Sequence, residues 1–283
     1  MIFWIASYPK SGNTWLRALL SSYYFSDSGF FNQELLKKIG QFPEKKHFKD
    51  FNYDSKKIID TSRFWIQSQK IINKDKKIKF FKTHNILGSI DNNKFTNKEN
   101  SLGAIYLLRD PRNVLTSIQN HYEFSKDEAL EFMLNEKKFI YNFHVKNDYS
   151  DFQFISSWEK NYKSWTLQNI IPVKVVKYED LINRTFETFK EIILFIQNIT
   201  GFEKNFDIIK AKKTIQSTTF DKMKKLEKME GFVESVLSKN DTNKIPFFHL
   251  GPQNDWKNIF DQNYQKKINS IFEKNLRELN YSK

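Results

Sequence analysis

A short apolar run followed by a helical pattern opens the chain, and this pairing constrains the fold more than any other feature. Residues 2–6 form a continuous apolar run of strand formers that ends at Ser7, Tyr8 and Pro9. Such a run is typical of a strand buried on both faces of a parallel sheet. Beyond a short loop, apolar residues fall on one face of a helix at Trp15, Leu16, Leu19, Leu20 and Tyr23. The first unit is therefore predicted to be a strand, a loop and a helix.

The apolar strand pattern returns further along the chain. Strands are predicted over residues 78–82, 104–108 and 173–178. The third strand leads into a helix that Asp110 caps, with Pro111 at its first position. The fourth strand precedes apolar residues at helical spacing over 186–196. Strands separated by helices predict an α/β fold in which helices flank a central parallel sheet on both faces. Residues 1–283 are interpreted as a single domain.

Two long helices are expected between the third and fourth strands. Ser125 and Glu128 have the spacing of a capping box, which begins one of them. The other carries an aromatic stripe, expected in the core, of Trp158, Tyr162 and Trp165. Residues 26–60 and 85–101 are polar and irregular, so they are interpreted as excursions from the sheet. The basic region 204–245 has no assignable pattern.

Composition bounds the partners of the chain. The net charge of +13 predicts an anionic partner, although mixed runs such as 222–228 are typical of a solvated surface. The chain has no cysteine, which excludes disulfides, thiolate catalysis and cysteine metal sites. The apolar N-terminus is too short for a signal peptide, and no run approaches the ~20 apolar residues of a membrane helix. We therefore expect a cytoplasmic protein without a membrane partner.

Polar side chains stand at the ends of the four predicted strands. Lys10, His84, Arg109 and Tyr178 each lie at, or just after, the end of a different strand. In a parallel α/β sheet the carboxyl ends of the strands share one edge, where ligands bind. The four side chains are therefore expected to meet at one site.

The loop between the first strand and the first helix suits an anion. A helix N-terminus presents free N–H groups, and Gly12 lets a ligand approach the backbone closely. Ser11 and Thr14 add hydroxyl donors, and Lys10 adds a positive charge. An ordinary turn between a strand and a helix could have the same composition, so the loop alone indicates no more than an anion site. The Walker signature, Gly-x-x-x-x-Gly-Lys, is missing because Lys10 precedes Gly12, which disfavours a magnesium-dependent NTPase.

A series of segments, in order along the chain, resembles the motifs of sulfotransferases that use 3′-phosphoadenosine 5′-phosphosulfate (PAPS). The first, residues 8–15 (YPKSGNTW), resembles the loop that binds the 5′-phosphosulfate, with Asn13 where the family usually has threonine. The others are 82–84 (KTH), 109–114 (RDPRNV) with Ser117, 157–158 (SW) with Trp165, 178–181 (YEDL), 218–220 (TTF) with Met223, and Gly251 with 255–258 (DWKN). The resemblance implies a three-layer, P-loop-like α/β fold. It also implies transfer of a sulfuryl group from PAPS to a hydroxyl or amine of a small molecule or glycan, without a metal.

The resemblance implies a role for each matching residue. His84 would be the general base that takes the proton of the acceptor, Lys10 would neutralise charge on the leaving phosphate oxygen, and Lys82 would stabilise the sulfuryl group. Lys82 should also lower the pKa of His84 through like charge. The implied donor-binding residues are Lys10, Ser11, Gly12, Asn13, Thr14 and Trp15 in the loop, Arg109 and Ser117 at the 3′-phosphate, Tyr178, Thr218 and Phe220 with Trp15 around the adenine, and Gly251.

The C-terminal motif departs from the family pattern. Where the family has Arg-Lys-Gly, this chain has His249, Leu250 and Gly251. Either Lys244 or Lys239 replaces the missing cations, or the loop binds the 3′-phosphate through backbone N–H groups. Residues 258–262 also differ from the dimer-forming stretch of the family, which leaves the oligomeric state open.

Two other functions remain compatible with parts of the sequence. An NTP-dependent kinase would use the same loop, and the missing Walker spacing speaks against it. A non-catalytic nucleic-acid-binding protein is suggested by net charge alone, without a basic stripe or a binding motif. No nucleic-acid partner is therefore expected.

The remaining histidines and the acceptor site are less constrained. The histidines without a context comparable to that of His84, and without metal-site spacing, are His47, His121, His144 and His249. The acceptor is expected to contact the irregular segments 26–60, 85–101 and 230–250. Their aromatic residues, which permit an apolar acceptor, include Phe30, Phe31, Phe247 and Phe248, while their lysines and asparagines permit a sugar.

Overall fold

The structure is a computed structural model that describes residues 1–141, 147–201, 205–236, 238 and 244–281. The strands are β1 (Ile2–Ser7), β2 (Gly40–Gln41), β3 (Lys79–Thr83), β4 (Ser89–Ile90), β5 (Asn93–Lys94), β6 (Ser101–Leu108), β7 (Phe139–Ile140), β8 (Gln153–Phe154) and β9 (Val173–Lys177). The helices are α1 (Asn13–Phe25), α2 (Trp65–Ile72), α3 (Pro111–Tyr122), α4 (Lys126–Leu134), α5 (Trp158–Thr166), α6 (Tyr178–Asn183), α7 (Thr185–Thr200), α8 (Ile208–Ser217), α9 (Phe220–Glu230), α10 (Trp256–Ile259) and α11 (Gln262–Glu278). Short 3₁₀ helices span Gln33–Lys38, Lys45–Phe48, Asp60–Phe64, Asn73–Asp75 and Gly251–Gln253.

The central sheet is parallel throughout the described residues, with the strand order β2-β3-β1-β6-β9. Strand β1 lies in the middle, and all of its residues are buried, as its continuous apolar run predicted. All four predicted strands are present. The fourth ends at Lys177, one residue earlier than expected, because Tyr178 is the first residue of α6.

Alternate residues of β1 point into two separate cores, one on each face of the sheet. Ile2, Trp4 and Ala6 join a cluster that includes apolar residues of α3, α4, α5 and α11. Phe3 and Ile5 join a second cluster with residues of α1, α7 and α8. This period of two is the geometry of a strand. Helices covering both faces of one sheet give the three layers that the sequence predicted.

The predicted helix ends are also found. The carboxylate of Asp110 accepts a hydrogen bond from the backbone N–H of Arg112 (2.9 Å) and caps α3. Ser125 and Glu128 form a complete capping box at the start of α4. The aromatic stripe of α5 is buried, as expected, at Trp158, Tyr162 and Trp165. Side-chain hydrogen bonds to nearby backbone N–H groups therefore set where α3 and α4 begin.

The segments without a clear pattern contain some regular structure. The basic region 204–245 includes α8 and α9, and the segments 26–60 and 85–101 hold short 3₁₀ helices and the strands β2, β4 and β5. Among the described residues, no helix is both long and apolar enough to cross a membrane.

The register of the sheet aligns the carboxyl ends of its strands. Ala6 of β1 pairs with Thr83 of β3, and Ser7 pairs with Leu107 of β6. At the next strand pair, the last residues of β6 and β9 also face each other. The segments that follow these four strands consequently leave the sheet side by side, which brings the predicted site residues to one edge.

Asp110 offers a test of how α3 is held. Its carboxylate also pairs with the buried guanidinium of Arg112 through Nε (2.9 Å) and Nη2 (2.7 Å). Asp110→Ala removes both the cap and the counter-charge of a buried cation, so we expect a loss of about 3–5 kcal/mol in the free energy of unfolding. Urea unfolding measures it. The control Asp127→Ala removes an exposed ion pair with Lys267 and should have a much smaller effect; equal losses would contradict the role given to Asp110.

Candidate active site

The loop between β1 and α1 turns so tightly that its backbone enters the left-handed region twice. Lys10 has a φ of 65° and Gly12 has a φ of 96°. The ring of Tyr178 packs on the backbone at Gly12, since a Cβ atom there would lie 2.5 Å from Cδ2 of that ring. Glycine is thus required by the conformation and by the approach of the ring. Helix α1 begins at the next residue, which places a helix N-terminus beside the loop.

Two polar side chains of the loop differ in whether they have hydrogen-bond partners. Asn13 donates its amide to the carbonyl of Ile5 (3.0 Å) and to the hydroxyl of Ser7 (3.1 Å), which fastens the loop to the end of β1. The Oγ atom of Ser11 is buried and has no hydrogen-bond partner in the described part of the chain. An unpaired buried hydroxyl costs stability, and a ligand that supplies a partner removes that cost.

His84 directly follows β3 and carries a defined tautomer. Its Nδ1 atom lies 2.7 Å from the carbonyl oxygen of Ser7. Because a carbonyl only accepts, Nδ1 carries the proton and Nε2 keeps its lone pair. Burial, and then the positive charge of Lys82, lower the pKa of His84 to about 3. The predicted effect of Lys82 is confirmed in direction, but burial is the larger cause, and the ring is neutral at pH 7.

The backbone on both sides of His84 is held by side chains from other elements. The N–H of His84 donates to Oε1 of Gln153 (2.7 Å). Its carbonyl accepts from Nδ2 of Asn161 (2.9 Å), which lies on α5. The helix α5, which begins at the 157–158 (SW) motif, therefore helps to position His84 through Asn161. The ring position is therefore set by hydrogen bonds at its backbone as well as at Nδ1.

Arg109 ties together three of the segments that leave the sheet. Its Nη1 atom donates to the carbonyl of Lys10 (2.9 Å) and to the hydroxyl of Ser117 on α3 (3.1 Å). Its guanidinium carbon lies 4.4 Å from the ring centroid of Tyr178. The Nε atom is buried without a hydrogen-bond partner in the described part of the chain. The predicted neighbours Arg109 and Ser117 thus meet, and an N–H of the guanidinium remains for an anion.

The C-terminal motif is fastened to α3 through Asn254. Its amide nitrogen donates to the carbonyl of Asn113 (2.9 Å) and to the hydroxyl of Ser117 (3.3 Å). Nearby, Gly251 has a φ of 55°, and a Cβ atom there would lie 2.2 Å from the ring of Phe220. A second glycine is therefore required by an aromatic ring that packs on the backbone. Two of the predicted donor-binding residues, Phe220 and Gly251, are in contact.

The predicted adenine residues Trp15, Tyr178 and Thr218 also lie together. The indole Nε1 of Trp15 donates to the carbonyl of Thr218 (2.9 Å), and the rings of Trp15 and Tyr178 meet edge to face at 5.9 Å. The hydroxyl of Thr218 is buried and donates to the carbonyl of Thr214 (2.9 Å). Thr218 holds Trp15 through its backbone and does not line the cavity, whereas Thr219 and Phe220 do.

A partly buried carboxylate, Glu234, lies among the cations of the site. The hydroxyl of Thr14 donates a short hydrogen bond to its Oε2. Nη1 of Arg17 and Nζ of Lys82 (3.4 Å) both contact its Oε1. Although burial acts to raise it, these two positive charges hold the pKa of Glu234 well below its usual value. Thr14 and Lys82, both predicted to contact the donor, are therefore paired with an anion that belongs to the chain.

Lys10 lies on the face of an aromatic ring. Its Nζ atom is 4.2 Å from the ring centroid of Phe247, a cation–π distance. Burial is the largest cause that lowers the pKa of Lys10, Glu234 opposes it, and the charges of Arg109 and Lys82 add to it, so that the pKa is about 7. The Lys10 ammonium therefore loses its proton readily near neutral pH, and an anion bound nearby would favour the protonated form again.

Most of these groups line one cavity of about 880 Å³, a volume typical of small-molecule sites. One side of the cavity is an aromatic wall, which we define as Tyr122, Phe124, Phe132, Phe139, Tyr141, Phe247 and Phe248. Its position corrects the expected acceptor segments. Among the described residues, 26–60 contributes Gln41 and 85–101 contributes nothing, because α3, α4 and the strand pair β7–β8 close the cavity instead.

The remaining sequence candidates lie elsewhere or outside the described residues. Lys244 is exposed and does not line the cavity, while Lys239 and His144 lie outside the described residues. His47 accepts a hydrogen bond at Nδ1 from the backbone of Glu44 (3.0 Å) and has a capping role. How the 3′-phosphate would be held without the usual Arg-Lys pair stays a prediction.

Two groups in the cavity, Glu234 and His121, had no assigned role in the sequence interpretation. Glu234 arrives from a segment without helical or strand periodicity, so no pattern placed it. His121 lies four residues after Ser117 on α3, and both line the cavity. Helical spacing of four residues was the available signal for His121.

The comparisons with known proteins agree with this geometry. A family model for the sulfotransferase domain matches residues 2–280, and the chain belongs to the sulfotransferase family. It is 23% identical to sulfotransferase 1A1 of Rattus norvegicus over 98% of this chain and 85% of that protein. It is 23% identical to sulfotransferase 1B1 of Canis lupus familiaris over 96% of this chain and 82% of that protein.

Solved structures share the fold. The structure of retinol dehydratase in complex with androsterone and the inactive cofactor PAP matches with a TM-score of 0.58 at 15% identity, over 97% of this chain and 80% of that chain. A complex of retinol dehydratase with retinol and PAP matches with a TM-score of 0.54 at 17% identity, over 97% and 81%. The predicted three-layer, P-loop-like α/β fold is thereby confirmed.

The close approach of Tyr178 to Gly12 can be tested against a matched glycine. Gly201 also has a positive φ (68°), but a Cβ atom there meets no atom of the described residues within 4 Å. Gly201→Ala should cost about 1–2 kcal/mol of unfolding free energy through backbone strain alone. Gly12→Ala adds the clash with the ring, so we expect a clearly larger loss in urea unfolding. Equal losses would show that the ring moves away freely.

Proposed function

We propose that this chain transfers a sulfuryl group from PAPS to a hydroxyl of a small molecule. The observation that carries the proposal is the neutral ring of His84, whose Nε2 lone pair is in the same cavity as Lys10, Lys82 and Arg109. A proton acceptor beside a group of cations suits a reaction in which a hydroxyl attacks an anionic donor.

The residues present fit the donor. PAPS carries a 5′-phosphosulfate and a 3′-phosphate, and when bound it supplies an activated sulfuryl group. Ser11 does not itself line the cavity, but its unpaired Oγ lies in the loop that leads into α1, and the N-terminus of α1 suits the 5′ end. The unpaired Nε of Arg109, with Ser117 beside it, suits the 3′-phosphate. Both buried orphan groups belong to motifs to which the family resemblance assigns phosphate contacts, which supports the proposal.

The other donor contacts follow from the loop and the aromatic residues. Gly12, Asn13 and Thr14 would offer backbone N–H groups at the start of α1, since the side chain of Asn13 is committed to β1. The adenine would lie among the group Trp15, Tyr178, Thr218 and Phe220, with Gly251 beside it. Within that group Thr218 would act through the backbone that positions Trp15.

The chain's own residues would carry the chemical step. His84 takes the proton of the acceptor hydroxyl on Nε2 while the acceptor oxygen forms its bond to sulfur. Lys10 neutralises the charge left on the phosphate oxygen as the bond from that oxygen to sulfur breaks, and Lys82 stabilises the sulfuryl oxygens. The products are the sulfated acceptor and 3′-phosphoadenosine 5′-phosphate (PAP). Placing these groups in one cavity supplies the orientation that an in-line displacement requires.

The aromatic wall supports a small apolar acceptor over a glycan. Two solved relatives of the same fold hold androsterone or retinol with PAP. In this chain, the cavity that His84 lines is also lined by the rings of the aromatic wall. Rings of this kind bind planar apolar groups well and sugars less generally.

Transfer from radiolabelled PAPS to a panel of phenols, aliphatic alcohols and sugars tests the proposal. We expect the native protein to sulfate at least one phenol. His84→Gln should lower kcat by about a hundredfold or more and keep the rise in Tm that PAP produces, because His84 is not assigned to PAP. Lys10→Met should lose activity and part of that rise, unlike Lys70→Met at an exposed position. No transfer to any acceptor and no stabilisation by PAP would overturn the proposal.

Glu234 gives a second prediction. The carboxylate of Glu234, which already pairs with Thr14 and Lys82, repels a phosphate bound at the start of α1. Glu234→Gln should therefore tighten PAP binding by about tenfold, while the free energy of unfolding without PAP falls by about 3 kcal/mol because Arg17 and Lys82 lose their partner. Calorimetric titration and urea unfolding measure the two effects.

The control for this prediction is Glu230→Gln, on the exposed side of α9. It should change neither quantity appreciably. An unchanged or weaker affinity of Glu234→Gln for PAP would mean that the carboxylate does not repel the donor.

A further inference from the structure

His121 lines the cavity, and the proposed transfer gives it no role. It lies on α3, one helical turn beyond Ser117, and both residues line the cavity that contains His84. Its ring meets the ring of Phe247 at 6.2 Å in an edge-on arrangement. The ring of Phe247 is also contacted by Nζ of Lys10, which lies 4.2 Å from its centroid. One aromatic ring therefore separates His121 from the lysine of the loop.

The imidazole of His121 has no hydrogen-bond partner in the described part of the chain. The other histidine of the reaction site, His84, has its Nδ1 committed to a backbone carbonyl. His121 is only partly exposed, and burial, followed by the charges of Lys10 and Lys82, lowers its pKa to about 2. A neutral imidazole offers one donor and one acceptor. Both are available to a molecule in the cavity.

The surroundings of His121 define the molecule that would use these groups. Tyr122 packs against its ring at 4.7 Å, and other rings of the aromatic wall continue from there. Rings on this side suit a flat aromatic body. A ring without charge favours a neutral hydroxyl over a carboxylate as partner. An acceptor that lacks a second polar group would leave the imidazole unpaired, which costs binding energy.

We infer that His121 is a specificity-determining residue that hydrogen-bonds a second hydroxyl of the acceptor, so that the enzyme favours dihydroxylated aromatic acceptors over single phenols. This inference rests on the proposed sulfuryl transfer and names the acceptor class for it. His84 takes the proton of the reacting hydroxyl, and His121 holds the other hydroxyl without exchanging a proton. No bond forms or breaks at His121.

Sulfation of phenol and of the 1,2-, 1,3- and 1,4-benzenediols tests the inference. We expect kcat/KM of the native protein to be about threefold to tenfold higher for at least one diol than for phenol, after correction for the number of hydroxyls, as one neutral hydrogen bond would give. In His121→Phe, which keeps the aromatic surface, this preference should vanish because kcat/KM for the diol falls. The value for phenol should stay equal or rise.

His121→Gln supplies the rescue. Its amide has one donor and one acceptor side like the imidazole, so the diol preference should return at least in part. The rise in Tm with PAP should be the same in all three proteins, since His121 is not assigned to the donor. A native protein that sulfates phenol and all diols equally, or a preference that survives in His121→Phe, overturns the inference while leaving the proposed transfer intact. Absence of transfer to every acceptor would instead count against the proposed function.

Discussion

Positive charges that the fold buries at the ends of the strands need an anion, and the rest of the site follows from this constraint. The parallel register brings Lys10, Lys82 and Arg109 to one cavity, and Arg17 of α1 pairs with Glu234, which also lines it. Cations removed from water are costly unless they are paired. Within the chain Glu234 supplies part of the pairing, through Arg17 and Lys82. The lowered pKa of Lys10 and the unpaired Nε of Arg109 mark the part left to a ligand.

Much of the fold could be predicted because it is encoded locally. The apolar run of β1, the cap at Asp110 and the box formed by Ser125 and Glu128 depend on residues a few positions apart. The convergence of Lys10 with His84 could also be predicted, since a parallel sheet places its strand ends at one edge. A strand end predicted to within about one residue, as at the end of β9, was accurate enough to place the site residues at that edge.

The parts that escaped prediction depend on contacts between distant segments. Glu234 meets Thr14 across 220 positions of the chain, and no periodicity signals such a contact. The hydroxyl of Thr218 bonds back to Thr214 at the end of α8, so it does not face a ligand. The motif match at Thr218 therefore did not reveal that the backbone of Thr218 holds Trp15. The larger cause of the low pKa of His84 is burial, which could not be predicted because it is a property of the folded chain.

Calorimetric titration of the native protein with PAP at pH 7 and pH 9 tests most directly whether this cavity is a cradle for the nucleotide donor. The phosphates of PAP are largely ionised across this range, whereas Lys10, with a pKa of about 7, loses its proton. Because PAP prefers the ammonium form of Lys10, its binding is strong at or below pH 7 and weakens as the pH rises. The affinity should therefore fall by about tenfold or more by pH 9. The loss of one proton allows at most about a tenfold change per pH unit. Lys10→Met should bind more weakly and show little dependence on pH. Absence of PAP binding, or equal affinity of the native protein at both pH values, would contradict the account.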